Sequence, residues 1–430
     1  MRDDTAQYGH EAGNWACILL SAIMIPGKLI ADAQVSSHSF NRRCGDEMAH
    51  TVDSGNKYDA ALSLIDDWVK SGVVPGAAAA IWRRGAIVAE RYAGEARPGE
   101  PVTADTLFGL ASVSKPVTAA AVISCVESGD LALDAPLSHF VPEFGNLDTI
   151  YEDDAVPQLE ALRDQVTIEQ LLCHVSGLPE NIGVKHLRIS ERPSLATMLD
   201  TMTNLPLKSA PGEQLRYSNV GYGLLALAIE RATGTDFFTV LRERVLEPFN
   251  LRDVVVRPTE DQRRRIAHTQ DTAGTGTPSE SYNSRYWQDL AIPWGGYYGT
   301  PVAIARYAAA FLPGHERGLS LESMRAMRKD HTGGVPGGVE SAGVRWDHGA
   351  WGYGWEVKEN KTSHWTGTRT SVQTFCHWGQ AGTLVWADPH RELAFAVFAN
   401  RTVMQQLWSL KPPRWSDLSD AVVQVVDDLR

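Results

Sequence analysis

The strand-forming segments of this chain lie towards its two ends, and this arrangement constrains the fold most. Near the start, Ala77 to Ile81 and Ala86 to Tyr92 flank the turn signal Arg83-Arg84-Gly85, which predicts a hairpin. Near the end, two apolar runs flank Asp388-Pro389-His390-Arg391, which predicts an antiparallel hairpin. Most of the chain between them has a helical, loop-rich pattern. We therefore predict an α+β fold: one antiparallel β-sheet flanked by helices and built from both chain ends, with an inserted, mostly helical lobe.

The length of 430 residues is enough to bury a large core. We assign residues 58–136 and 291–430 to an α/β lobe and residues 137–290 to the helical lobe. Residues 1–57 contain polar stretches, and we expect them to form a loosely ordered extension outside the fold.

Residues 15–33 contain a short apolar run followed by Ala31-Asp32-Ala33, as in a secretory signal and its cleavage site. The residues before this run include Asp3, Asp4 and Glu11, which is the wrong charge for a signal. This favours a cytoplasmic protein. A secreted or periplasmic one stays open if the segment acts as a signal.

Ser112 and Lys115 are the first candidate catalytic pair. Residues three apart share one face of a helix, and a helix is predicted from about Ser112 to Ser128, ending at Gly129. A serine hydroxyl at the head of a buried helix, with an amine beside it, is a nucleophile with a proton acceptor. An unperturbed lysine is deprotonated only about once in 2,500 molecules at pH 7. We therefore expect Lys115 to be partly buried and near a positive or proton-sharing group.

Tyr217-Ser218-Asn219 is the second candidate element, just ahead of an apolar helix that ends near Thr233 with Gly234 as its cap. A tyrosine near ammonium groups can have a lowered pKa and exchange protons with a serine hydroxyl. The carboxamide of Asn219 can hold a lysine or a substrate amide. The alternative is a tyrosine packed at a helix start and an asparagine in a turn.

His377-Trp378-Gly379 is the third candidate element, on the first strand of the C-terminal hairpin. His377 could donate a hydrogen bond to a substrate carbonyl or carboxylate, and Gly379 lets a strand backbone approach a ligand closely. We also expect one or two of a group of tryptophans near the cleft to form an apolar acyl or alcohol pocket: Trp294, Trp351, Trp355, Trp365 and Trp378.

Together, and in this order, the three elements resemble the serine β-lactamase/penicillin-binding-protein superfamily, in its class C-like branch with the family VIII esterases and the D-aminopeptidases. Further segments look like that branch: residues 74–78, 102–108, 130–137, 166–179 and 294–300. The resemblance runs from about Tyr58 to the C-terminus. It is specific for the fold and the catalytic machinery, and much less specific for the substrate.

The resemblance implies a role for each matching position. Ser112 would be the acylated nucleophile and Lys115 its proton acceptor. Tyr217 would protonate the leaving group and activate the deacylating water. The substrate-binding residues would be Asn219, His377, Trp378, Gly379 and Gln380, with the backbone N–H groups of Ser112 and Gln380 as the oxyanion hole.

Two departures from the family pattern bear on the substrate. Lactamases usually carry Lys-Thr-Gly at the third element, where the lysine anchors a carboxylate. Here the corresponding positions hold His377, which is mostly neutral near pH 7, and Trp378, which is large and apolar. We therefore predict a serine hydrolase that cleaves small carboxylic esters. A β-lactamase, a D-amino-acid peptidase or amidase, an acyltransferase and a non-catalytic ligand-binding member of the fold stay open.

The composition limits the other classes of function. The net charge of −12, without a basic run carrying interleaved aromatics, argues against nucleic-acid binding. No apolar stretch reaches the length of a transmembrane helix. The chain has no Gly-x-Ser-x-Gly elbow and no His-Glu-x-x-His motif, so we expect neither an α/β-hydrolase nor a metal or other cofactor. The oligomeric state is left open.

Three further assignments are structural or minor. Cys376 adjoins His377, but neighbours on a strand point to opposite faces, so a Cys–His nucleophile is the weaker alternative. His174 and Ser176 match the family pattern, and we expect them to hold a turn after a helix by local hydrogen bonds.

Overall fold

The structure is a computed structural model that describes residues 57–151, 155–362, 364–403 and 414–429. Residues Lys57–Arg430 form one compact unit. Residues 1–56 lie outside the described residues, and they include segment 15–33 and all but the last residue of the expected N-terminal extension. The division of the unit into an α/β lobe and a helical lobe stays a prediction. In the part of the chain that is described, no helix is both long and apolar enough to cross a membrane.

The strands are β1 Gly76–Arg83, β2 Ala86–Arg97, β3 Glu100–Pro101, β4 Phe108–Gly109, β5 Leu215–Arg216, β6 Val254–Val255, β7 Tyr298–Gly299, β8 Gly337–Val339, β9 Val344–Trp346, β10 Glu356–Val357, β11 Phe375–Gly379, β12 Thr383–Asp388 and β13 Leu393–Ala399. The helices are α1 Asp59–Leu62, α2 Leu64–Lys70, α3 Ser114–Glu127, α4 Leu137–Phe140, α5 Pro157–Glu160, α6 Ile168–Leu172, α7 Leu195–Thr203, α8 Asn219–Thr233, α9 Phe237–Leu241, α10 Glu260–Arg265, α11 Arg285–Leu290, α12 Pro301–Ala309, α13 Leu321–Met327 and α14 Trp415–Asp428.

The main sheet has seven antiparallel strands in the order β10-β11-β12-β13-β1-β2-β3. At its centre β1 pairs with β13, with Ala77 opposite Ala399 and Arg83 opposite Leu393. The two ends of the chain therefore build one sheet, which confirms the predicted fold class. Both predicted hairpins are present, and the first apolar run of the C-terminal one divides into β11 and β12. The turn between these two strands contains Gly382 at a φ of 104°.

Each face of the main sheet is covered, and β1 shows how the sequence serves both faces. Ala78, Ala80 and Trp82 belong to the larger core, on the side where α12 packs. The residues that alternate with them, Ala77, Ala79 and Ile81, belong to a second core with α1, α2 and α14. Because side chains alternate along a strand, an alanine-rich strand buried on both sides reads as one continuous apolar run.

Two helices between the sheet segments carry the first two candidate elements. A 3₁₀ turn, Ala111–Val113, leads into α3, whose first twelve residues are buried. Helix α8 begins at Asn219 and ends at Thr233, and Gly234 caps it at a φ of 65°. Both helices and their glycine caps are as predicted.

Candidate active site

Ser112 lies in the 3₁₀ turn ahead of α3, on a backbone that bends sharply. The residue before it, Ala111, has a φ of 47°, in the left-handed region that non-glycine residues avoid. This bend is held from outside: the Thr383 hydroxyl donates to the Leu110 carbonyl at 2.9 Å. The half-buried Ser112 side chain is thereby presented at the start of α3.

Lys115 lies one turn further along and is fully buried. Its Nζ is 3.1 Å from Ser112 Oγ, 2.6 Å from Asn219 Oδ1 and 2.8 Å from the Trp294 carbonyl oxygen. The carbonyl and the amide oxygen can only accept hydrogen bonds. A neutral amine has two N–H groups for these two acceptors, so its lone pair is left for the Ser112 hydroxyl.

Burial also sets the charge of Lys115. Desolvation lowers its pKa well below the usual value, against the opposing field of Glu180. From the sequence we expected Lys115 to be partly buried and near a positive or proton-sharing group that lowers this pKa. In the structure the cause is loss of water around the amine. The direction of this shift is the one that the chemistry requires, because it favours the neutral, basic form of the amine.

Tyr217 packs directly against this lysine, with Lys115 Nζ 4.7 Å from the centre of its ring. Its buried hydroxyl has no partner at hydrogen-bonding geometry among the described residues. Burial raises the pKa of Tyr217 well above its usual value, and the nearby Ser112 hydroxyl only partly offsets this. The expected lowering of this pKa is therefore wrong. Tyr217 is a neutral phenol, which is a proton donor.

Asn219 is held in one orientation by two contacts. Its Oδ1 accepts from Lys115, and its Nδ2 donates to Asn181 Oδ1 at 2.7 Å. Its backbone N–H donates to the Glu180 carbonyl at 2.8 Å. Asn181 belongs to no motif recognised in the sequence. Trp294 was a candidate only for its side chain, whereas its backbone carbonyl is the group that contacts Lys115.

His377 is buried on the face of β11 that looks towards Lys115 and Tyr217. Its ring centre lies 6.2 Å from that of Tyr217 and 5.7 Å from that of Trp351. Burial, and then the charge of Lys115, lowers the pKa of His377 to about 3, so the ring is neutral. Nδ1 is 2.8 Å from the Trp378 carbonyl oxygen. Nε2 is buried and unpartnered within the described ranges.

Gly379 brings β11 against the segment that carries Ser112. A Cβ at this position would lie 2.3 Å from the Leu110 carbonyl oxygen and 3.1 Å from Ala111 Cβ. The close approach predicted for this glycine is therefore made to the backbone ahead of Ser112. It places the next residue, the exposed Gln380, beside the 3₁₀ turn.

Trp378 is not brought to this group of residues. Alternation along β11 turns it to the opposite face, where it packs against Trp365 and Trp415 at ring-centre distances of 5.4 and 6.4 Å. We therefore remove Trp378 and Trp365 from the candidate pocket. Trp355 lies in the core, between Tyr307, Phe311 and Phe375. Of the five tryptophans, Trp294 and Trp351 border the site.

His174, which is remote from Tyr217 in the sequence, contacts Tyr217 and the residue after it. Its Nδ1 accepts from the Ser218 N–H at 3.0 Å, and its ring centre is 4.4 Å from that of Tyr217. The structural role expected for His174 is retained, but its hydrogen bond joins two segments and is not local. Ser176 does hold the turn, accepting from the Leu178 N–H at 3.4 Å.

A buried cluster on the other face of the sheet contains Glu356, His364 and Cys376, whose ligand atoms lie within 4.8 Å of one another. Lys361 Nζ and His364 Nε2 donate to one oxygen of Glu356 at 3.0 and 2.8 Å, and Trp365 Nε1 donates to the other at 3.1 Å. An ammonium already compensates this carboxylate, so the cluster is an ion pair rather than a metal site. Burial raises the pKa of the Cys376 thiol, which makes it a poor nucleophile.

The comparison with protein families agrees with this geometry. The β-lactamase family model matches residues 62–415, which is most of the chain. The chain belongs to the β-lactamase family. Its fold, and its resemblance to β-lactamase-related serine hydrolases, are thereby confirmed.

Individual members of the β-lactamase family differ in activity. The chain is 30% identical over 336 residues to esterase EstB of Burkholderia gladioli, covering 71% of this chain and 81% of that one. It is 27% identical over 269 residues to the D-alanyl-D-alanine-carboxypeptidase/endopeptidase AmpH of Escherichia coli, covering 60% and 65%. The structure of a family VIII carboxylesterase superposes with a TM-score of 0.68 at 20% identity, covering 86% of this chain and 98% of that chain, which shows a shared fold.

Proposed function

We propose that this β-lactamase-family protein is a serine hydrolase that cleaves small carboxylic esters through an acyl-enzyme on Ser112. The observation that carries the proposal is the position of Lys115: fully buried, with its lone pair left for Ser112 Oγ at 3.1 Å. A lysine kept neutral beside a serine has a catalytic use, and burial without such a use would only cost stability.

In the acylation step, Ser112 Oγ attacks the ester carbonyl and its proton passes to Lys115 Nζ. The negative charge on the carbonyl oxygen would be stabilised by the backbone N–H groups of Ser112 and Gln380. The carbon–oxygen bond to the alcohol breaks as Tyr217 gives its proton to the leaving oxygen. The proton on Lys115 then restores the phenol, so the alcohol carries the former phenol proton and the serine proton ends on Tyr217.

Deacylation reverses the roles of these groups. A water molecule attacks the acyl carbonyl and gives its proton to the Tyr217 oxygen as Tyr217 passes its own proton to Lys115 Nζ. The bond to Ser112 Oγ breaks, and this oxygen recovers the proton that Lys115 had accepted. No step needs a cofactor or a metal.

Two features favour esters over anionic lactams. The third element holds a neutral His377 where lactamases have a lysine, so it offers no positive charge to a carboxylate. One relative that is 30% identical over 71% of the chain is an esterase. AmpH makes a D-amino-acid peptidase the second candidate function.

An apolar pocket for the acyl group would lie beside the nucleophile. Tyr282 packs with Ala111 and Ala381, the neighbours in sequence of Ser112 and Gln380, and half-buried Trp287 covers this group. The two aromatic rings meet edge to face at a centre distance of 5.6 Å. We assign the acyl pocket to Tyr282 and Trp287 in place of Trp378.

The test is hydrolysis of p-nitrophenyl acetate, butyrate and octanoate, a chromogenic cephalosporin and a D-alanyl anilide, with wild type and Ser112→Ala in parallel. Ester turnover that the variant loses, with a butyryl adduct on the Ser112 peptide of the wild type by mass spectrometry, is the expected result. Turnover of only the cephalosporin or the anilide would make the protein a lactamase or a peptidase. A wild type that forms no acyl adduct with any substrate would overturn the proposal.

A further inference from the structure

Several buried polar atoms at the site lack a hydrogen-bond partner among the described residues, including His174 Nε2 and Trp351 Nε1 beside Tyr217. Two others belong to the candidate catalytic and substrate-binding residues. The Tyr217 hydroxyl and His377 Nε2 are both buried, and neither has a hydrogen-bond partner among the residues described. Buried polar atoms are nearly always paired in folded proteins, with protein groups, water or a ligand. Tyr217 has a use in the proposed chemistry, as the acid for the leaving group. His377 Nε2 has none so far.

The hydrogen bond on the other side of the ring fixes what Nε2 can do. Nδ1 lies 2.8 Å from the Trp378 carbonyl oxygen, which only accepts, so Nδ1 carries the proton. In a neutral imidazole the second nitrogen then has a lone pair and no hydrogen. His377 Nε2 is an acceptor, which reverses the donor role expected from the sequence.

The position of His377 indicates which part of a substrate it meets. Its ring is next to that of Tyr217, at 6.2 Å between centres, and Tyr217 is the group that protonates the leaving oxygen. The charged side chains that act on Tyr217 are Glu180 and Glu356, both acidic, among the described residues.

We propose that His377 Nε2 accepts a hydrogen bond from the leaving group, so that the hydrolase prefers esters whose alcohol part carries a hydroxyl or N–H donor near the ester oxygen. The proposal rests on the esterase function proposed above. It assigns the substrate class by the alcohol: donor-bearing alcohols first, plain alkyl alcohols next and anionic alcohols last.

The test compares three butyrate esters that share the acyl group. The 2-hydroxyethyl and propyl esters have the same number of heavy atoms and differ in a terminal hydroxyl against a methyl group, and the carboxymethyl ester adds a carboxylate. Leaving a buried acceptor unpaired costs enough to change kcat/KM by about tenfold. We expect wild type to prefer the hydroxyethyl ester over the propyl ester by about that factor.

Variants separate the acceptor from general damage, because each ratio is taken within one enzyme. His377→Phe keeps an aromatic ring without the acceptor, and its hydroxyethyl-to-propyl ratio should fall to about one. His377→Lys places a cation there and should move the preference towards the carboxymethyl ester. Trp378→Phe alters the neighbouring residue on the other face of β11 and should keep the wild-type ratio.

The failures of the two proposals are distinguishable. A wild type that cleaves propyl and hydroxyethyl butyrate at equal kcat/KM remains an esterase but overturns the role of His377, whatever the variants do. A preference that survives in a folded His377→Phe, judged by its thermal unfolding, overturns it too. A wild type that cleaves no ester overturns the esterase function and this proposal with it.

Discussion

Asn219 Oδ1 lies 2.6 Å from Lys115 Nζ, and Asn181 decides which end of the amide faces the lysine. If the amide were reversed, its NH₂ group would oppose the N–H groups of the amine and compete for the position of the serine proton. The asparagine pair therefore keeps the lone pair of Lys115 directed at Ser112. Several measurements can test this arrangement.

Asn219→Asp should raise the pKa of Lys115, because a carboxylate at hydrogen-bonding distance favours the ammonium form. The acylation rate depends on the neutral amine, so its rising limb should move to higher pH by about 1 unit or more. The measurement is single-turnover acylation by p-nitrophenyl butyrate as a function of pH. Asn219→Ser, which is neutral and short, serves as the control, and equal midpoints for Asp and Ser would contradict the prediction.

The wild-type pH profile follows from the direction of the Lys115 shift. Burial lowers this pKa well below 10.5, so the neutral base is already formed before that pH is reached, and single-turnover acylation should be level in the alkaline range. On the acidic side the rate should fall as the amine is protonated. A rate that still rises steeply above about pH 9 would show that Lys115 is not a tuned base.

Tyr217→Phe removes only the hydroxyl and should lower kcat by about a hundredfold or more, as expected for loss of a general acid. The loss should be larger for ethyl butyrate than for p-nitrophenyl butyrate, because the nitrophenolate leaves without protonation. Measuring both esters on one preparation checks this. Equal losses would mean that Tyr217 acts on the fold of the site and not on the leaving group.

Trp287→Ala should enlarge the acyl pocket and shift the preference among p-nitrophenyl esters from short towards longer chains. Trp378→Ala is the matched control: the same truncation behind the sheet should cost about 3 kcal/mol of folding stability and leave the chain-length preference as in wild type. The profile of kcat/KM against chain length is the measurement. A changed profile in Trp378→Ala would return that residue to the pocket.

Glu356→Gln should destabilise the fold by about 3–5 kcal/mol at pH 7, because it leaves the buried Lys361 ammonium without its counter-charge. The pKa of Glu356 is lowered from 4.5 to about 2, since Lys361 and His364 outweigh the effect of burial. Its stabilising contribution is therefore full above the unfolded value and lost as pH falls towards 2. Urea unfolding of wild type should show this loss.

Glu356→Gln is also the control for the pH dependence of stability that Glu356 causes. Glu356→Gln should lack this loss of stability at acidic pH, because an amide does not titrate there. Glu356→Leu combined with Lys361→Met, which removes both charges, should recover much of the stability. A Glu356→Gln protein as stable as wild type would mean that Lys361 finds its compensation elsewhere.

The sequence was sufficient for the features that depend on periodicity and spacing. The pairing of Ser112 with Lys115 follows from helical geometry, and the end of α8 at Thr233 follows from its apolar pattern and its glycine cap. Alternation also separated Cys376 from His377. Applied one residue further, the same rule would have placed Trp378 behind the sheet, so that signal was present and unused.

Other features depend on contacts that no local pattern encodes. The positive φ of Ala111 is held by a hydrogen bond from a strand near the end of the chain. The pKa directions of Lys115 and Tyr217 come from how completely the surrounding fold excludes water. The partners Asn181 and the Trp294 carbonyl are joined to the lysine only by the tertiary structure.

Strands β1 and β13 pair near the centre of the main sheet, although β13 is synthesised long after β1. The strand containing Ala77 is exposed as an unpaired edge until residue 399 has emerged, and the hydrogen bond to Leu110 from Thr383 is equally late. Ser112, the proposed nucleophile, therefore gains this support for its backbone only after residue 383 has been synthesised. A nascent or prematurely terminated chain would carry Ser112 without the strand pairing and the hydrogen bond that position it.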